Sequence, residues 1–143
     1  VVRYENMNDY SDIKEVNMAW NFEQDKPIYI QIVSKIELGI LSGEYKAGSK
    51  LDSVRELASI AGVNPNTMQK ALMEIEKQGL IITERTSGRF VTSDSEKIQR
   101  LKDSFFELKI KSLISEFVEL GCSKQYLYAL IEKHFDGVKK DDK

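Results

Sequence analysis

Asn66, Gln69 and Lys70 recur at the three- and four-residue steps that place side chains on one side of an α-helix, and Met73 continues the same outward face. Amide and ammonium groups at the start of a helix match what the major groove of DNA presents: hydrogen-bonding base edges, with phosphates at the rim. Asn64 and Thr67 add polar groups to the same turns. Further along, Arg85 and Arg89 stand on either side of Gly88 in the run RTSGR. A basic tip containing a glycine allows the backbone to approach a phosphate or a minor groove. The helix face alone says little, because a merely solvated face has the same pattern. Two cationic elements close together in sequence are what bring nucleic acid forward as the partner.

The elements that must position these groups can be read from their boundaries. Ser53-Val54-Arg55-Glu56 is an S-x-x-E capping box, which predicts a helix running to about Ala61. Gly62 then closes that helix in a left-handed conformation, and Val63 turns back toward the core. Asn64 as N-cap and Pro65 at the first helical position open the next helix, which Gly79 closes. Met68, Ala71, Leu72 and Ile75 fall on its inner side. Leu80 to Arg85 and Arg89 to Thr92 are rich in Ile, Thr, Phe and Val, and Thr86-Ser87-Gly88 between them is turn chemistry. Two helices around a tight turn and then a hairpin are the order of parts in a winged helix-turn-helix.

Upstream, Pro27 begins another helix in which Ile28, Ile32, Ile36 and Ile40 repeat at four-residue steps up to Gly43. It is expected to cover the back of the helix-turn-helix, with Tyr29 as packing. Tyr45 to Gly48 is a loop leading to Leu51, where Lys46 and Lys50 face either solvent or phosphate. From Asp94 or Ser95 a long helical pattern runs to Leu120, Gly121 stops it, and Ser123 caps a last helix to Phe135. Leu101, Phe105, Leu108, Phe117, Leu127, Leu130 and Ile131 give this pair more apolar surface than it can bury alone. Two outlets are open: a homodimer interface, or packing on the chain's own winged domain. The dimer suits a helix-turn-helix that reads two half-sites about 34 Å apart.

The expected fold is therefore mainly α with a small β-hairpin: a winged helix-turn-helix over 20–94 and a two-helix dimerisation region over 95–136. Residues 137–143 form a frayed tail, and 1–19 an N-terminal extension of different character, acidic and without periodicity. Lys14 to Met18 could be read from a purine-rich ribosome-binding sequence ahead of a start codon. This suggests that Met18 is the native start and that the residues before it are not native; a genuine N-terminal arm is the other reading.

Charge is distributed in keeping with this division. Residues 1–25 carry two basic and six acidic side chains, 26–93 nine and seven, and 94–143 ten and ten. Only the middle segment is net basic, and a DNA module needs a local positive face rather than a basic chain. One cysteine, Cys122, and one histidine, His134, leave no four-ligand zinc site without carboxylates, and no cofactor is expected. No apolar run is long enough to span a membrane, and a cytoplasmic protein is the default. There is no Ser/His/Asp set, phosphate loop or carboxylate pair, so an enzyme is not expected.

SVRELA, GVNPNT, KALMEIEKQGLI and RTSGRFV, preceded by PIYIQIVSKIELGILSGEYKAGSKL, together resemble the N-terminal DNA-binding domain of GntR-type bacterial transcription regulators. The likeness covers about Trp20 to Asp94, and the short remainder resembles the YtrA-like branch, whose C-terminal part is a pair of helices. The resemblance implies a phosphate or base contact from Arg55, a recognition helix starting at Asn64, Asn66 and Thr67, and a wing glycine at Gly88. It also implies repression of the protein's own operon, often with transporter genes. Departures from the family pattern are Asp52 for a proline, Arg89 for a threonine, and Gln69 and Lys70 for arginines.

The sequence thus predicts a homodimeric repressor binding a palindromic double-stranded DNA operator through Arg55, Asn64, Asn66, Thr67, Gln69, Lys70, Arg85, Gly88 and Arg89. Any small-molecule effector, which the sequence does not name, would sit in the dimer interface or at the seam between helix pair and wing. The competing class is a winged-helix protein–protein adaptor that binds no DNA.

Overall fold

The capping sequence SVRE folds as its chemistry dictates: Ser53 Oγ accepts from the Glu56 N–H at 3.2 Å, and the Ser53 N–H donates to the Glu56 carboxylate at 2.8 Å. The computed structural model, which describes residues 20–138, places this box at the head of α2, Val54–Ala61. Gly62 ends the helix at φ 70°, a left-handed value that would strain a side chain. The N–H groups of Gly62 and Val63 then close on the carbonyls of Ser59 and Ala58. Asn64 follows at once, its side-chain oxygen accepting from the Asn66 N–H at 2.8 Å, and α3 runs Pro65–Lys77.

Helix α1, Ile28–Ser42, lies against α3. Ile32, Ile36 and Ile40 are buried as the four-residue repeat predicts, and Val33 and Leu41 join them. Ile28 departs from the expected stripe: it lies in the uncovered first turn and is 44% exposed. Met68, Ala71, Leu72 and Ile75 of α3 all have essentially no solvent contact. Each of the larger ones contributes about 1.5–3 kcal/mol by leaving water. Gly39 of α1 has a packing reason, since a Cβ there would meet the Tyr45 ring at 2.6 Å.

Strands β1, Ile81–Glu84, and β2, Gly88–Val91, pair antiparallel, with Ile81 opposite Val91, Thr83 opposite Arg89 and Glu84 opposite Gly88. The hairpin is shorter than the expected Leu80–Arg85 and Arg89–Thr92, because Arg85-Thr86-Ser87 are all used in the turn. The far edge of β2 is also occupied. Leu51 N–H donates to the Arg89 carbonyl and Val91 N–H to the Ser49 carbonyl, both at 2.9 Å. The segment read from sequence as a plain loop therefore ends as a third, one-bridge strand through Lys50.

Two compact units divide between Ile98 and Gln99, so the first turn of α4, Ser95–Glu119, belongs with the winged unit. The second unit holds the rest of α4 and α5, Lys124–Val138. Their corner forms as expected. Cys122 N–H donates to the Phe117 carbonyl after Gly121, and Ser123 Oγ accepts from the Tyr126 N–H. Helix α5 continues past the expected Phe135 into the segment predicted to fray. The Met18 start and residues 139–143 lie outside the described residues. The architecture is the expected one: mainly α with a small hairpin, a winged helix-turn-helix followed by a helix pair.

Candidate nucleic-acid interface

Helix α3 carries its polar groups on the side away from its core stripe. Asn66 and Lys70 are exposed, Thr67 and Gln69 half-buried, and Met73 is 49% exposed. Asn64 is the N-cap of α3, as expected. Its side-chain oxygen caps α3, which leaves its amide NH2 and one oxygen lone pair to meet a ligand. Arg55, in the first turn of α2, is exposed.

The wing differs from its sequence reading in one respect. Arg85 lies exposed in the turn as expected, but Arg89 is not at the tip. A three-residue turn puts Gly88 opposite Glu84, and Arg89 is already one residue into the strand. Side chains alternate across a strand, so Arg89 and Thr83 share the face of the buried Ile81 and Val91. Arg89 therefore points toward the helices. One Nη donates to Gln69 Oε1 at 3.3 Å, while its Nε is buried with no partner. The recognition helix and the wing are thus joined through two of the residues singled out from sequence. The alternation from Val91 back to Arg89 was the signal that could have shown this.

Sequence reading missed one group and left a second open between solvent and phosphate. Tyr29, taken as packing, lies under Lys70, whose Nζ is 3.8 Å from the ring centroid. Lys50 runs beside Gly88, where a Cβ would meet its Cε at 3.1 Å. Gly88 itself has φ 110°, so the position excludes side chains for conformational as well as spatial reasons. Lys50, Arg85 and Arg89 make the wing cationic, although only Arg85 occupies its turn.

Two groups near this surface have displaced pKa values. Hydrogen bonds with Ser53 hold the Glu56 carboxyl below the usual carboxylate range, and the charge of Lys50 adds to this. Burial raises the Tyr45 hydroxyl, and the carboxylates of Glu44 and Asp52 push it the same way. Glu56 is therefore a fixed anion at neutral pH whose position is set by the helix cap rather than by a ligand.

Residues 28–91 match the sequence profile of the bacterial regulatory proteins of the gntR family. The transcriptional regulator YhcF of Bacillus subtilis is 34% identical over 116 residues, a match covering 81% of this chain and 96% of that protein. The chain belongs to the GntR family. The transcriptional repressor YtrA of the same organism is also 34% identical, over 80% of this chain and 83% of its own length, which places the chain with the YtrA-like members. A GntR-family regulator from Listeria monocytogenes has the same fold with TM-score 0.75 and 41% identity over 78% of this chain and 98% of its own. A regulator from Oenococcus oeni follows at TM-score 0.69 and 26% identity over 82% and 98%. The chain is thus a GntR-family transcription regulator with a DNA-binding helix-turn-helix, and not an enzyme. No described helix of this GntR regulator is long and apolar enough to cross a membrane.

Proposed function

We propose that this regulator is a homodimeric, cytoplasmic repressor that binds a palindromic operator ahead of its own operon, where the family resemblance also implies transporter genes. The observation that carries the reading is the hydrogen bond by which Arg89 of the wing reaches across to Gln69 on the polar side of α3. Arg55 and Lys70 are assigned to phosphate or guanine edges, Asn64, Asn66, Thr67 and Gln69 to the base-facing surface, and Arg85 and Gly88 to the wing contact. Repression is supported by the name of the YtrA relative.

The dimer is supported by the second unit, where α4 buries none of its residues. Leu108 is 68% exposed and Ile131 38%, while Leu101, Phe105, Phe117 and Leu130 are half-buried. Leu127 is already buried within its own chain, so it supports the helix pair rather than the partner face. Phe106 and Ile110 extend the exposed apolar surface beyond the residues foreseen, and Ile114, Val118 and Phe135 are exposed with them. Such an apolar surface on a helix pair is the kind that a second copy covers.

A binding titration against duplex DNA from the chain's own upstream region and a scrambled duplex, at two salt concentrations, tests the reading. Tight preference for the upstream duplex that weakens steeply with salt is expected. Absence of binding at either salt would instead favour a protein–protein adaptor.

A further inference from the structure

We propose that Gln69 does not read a base itself but serves as the acceptor that orients Arg89, and that the remaining guanidinium donors of Arg89 select guanine. The inference rests on the operator reading above and deepens it by naming the base.

A glutamine that reads adenine uses both ends of its amide, the oxygen accepting from N6 and the nitrogen donating to N7. Here the oxygen accepts from an Arg89 Nη at 3.3 Å. The assignment of the amide ends is secure chemically, since a guanidinium has no acceptor and only the oxygen can face it. An adenine amino group seeking the same oxygen would have to approach beside the guanidinium, donor against donor and positive against positive. Guanine offers O6 and N7, both acceptors, to the Nη hydrogens of Arg89 that remain free.

Two further features favour a base over a phosphate. Arg89 shares a strand face with the buried Ile81 and Val91, so its side chain is directed at α3 and not outward along the wing. Gln69 stands in the second turn of α3, on the outward face that begins with Asn66. The Arg89 Nε is buried, which leaves the Nη groups as the donors that a base could meet.

Selection from a randomised duplex pool, with the full chain and its Gln69→Met, Arg89→Met and Gln69→Glu variants, tests the proposal. The unmodified chain is expected to select guanine at one position in each half-site, and 7-deazaguanine there, which removes N7 and keeps O6, should weaken binding about fivefold to tenfold, the lower end of the range for a whole bidentate pair. Gln69→Met and Arg89→Met should lose this one preference to the same degree and keep the others, and the double variant should lose no more. Gln69→Glu, which retains an acceptor for Arg89, should keep guanine. Adenine selected at this position and lost only in Gln69→Met would overturn the proposal. So would an Arg89→Met variant that weakens all duplexes equally, the mark of a phosphate contact. Should the unmodified chain select no sequence, the operator reading itself falls, and this inference with it. The 7-deazaguanine measurement uses the unmodified chain, so it decides even where a variant folds poorly.

Discussion

The Lys70 ammonium nitrogen lies 3.8 Å from the centroid of the Tyr29 ring, joining the outward face of α3 to the first turn of α1. The ring quadrupole attracts the cation and restricts where the long side chain can go. A double-mutant cycle with Tyr29→Leu and Lys70→Met should give a coupling of about 0.5–1 kcal/mol in urea unfolding. Additive effects would show that the contact does not hold Lys70 in solution.

Ser53 satisfies one free N–H of α2, and its replacement by alanine should cost about 1 kcal/mol of stability. Its partner Glu56 gives the effect a pH dependence. The folded-state pKa of Glu56 is lowered, so the contribution is fully present above the ordinary glutamate value and is lost as pH falls through the lowered one. Thermal melts from about pH 7 down to about pH 3 should therefore show a larger loss for the unmodified chain than for Glu56→Gln. Equal losses would separate Glu56 from acid sensitivity.

Arg55 is exposed, and Arg55→Ala should change folding stability by no more than about 0.5 kcal/mol. Operator binding should nevertheless weaken by about 1–3 kcal/mol if the guanidinium makes a specific bidentate contact. A titration with unchanged affinity would remove Arg55 from the interface.

Leu108 is 68% exposed on α4. Leu108→Asp puts a charge into the proposed dimer face without disturbing the protomer core, and sedimentation should find the variant monomeric where the unmodified chain is dimeric. Operator affinity should fall with it, because each monomer then engages a half-site alone. A variant that still sediments as a dimer would place the interface elsewhere.

The helix-turn-helix was legible because its signals are local. Ser53 and Glu56 mark one helix start, Asn64 and Pro65 the next, and the spacing of Met68, Ala71, Leu72 and Ile75 fixes the buried side. What escaped depends on contacts remote in sequence. Lys50 forms a single bridge to Phe90, and one bridge leaves no period to detect. Tyr29 meets Lys70 across two helices, and neither residue type implies the other. Arg89 was misplaced for a different reason. A glycine and two arginines suggest a tip by composition, whereas the register, set by the length of the turn, draws Arg89 into the strand.

The bridge through Lys50 also limits how the gene can vary in length. Ser49 and Leu51 are hydrogen-bonded to β2, and Ser53 begins the cap of α2 only two residues later. An insertion between Leu51 and Ser53 would have to detach either the sheet edge or the helix start. Arg85 to Ser87, by contrast, are held by one turn hydrogen bond, from Ser87 N–H to the Glu84 carbonyl, and face solvent. Length changes among descendants of this sequence are thus expected to accumulate in the tip of the wing, so that its length can diverge while the placement of α3 is inherited intact.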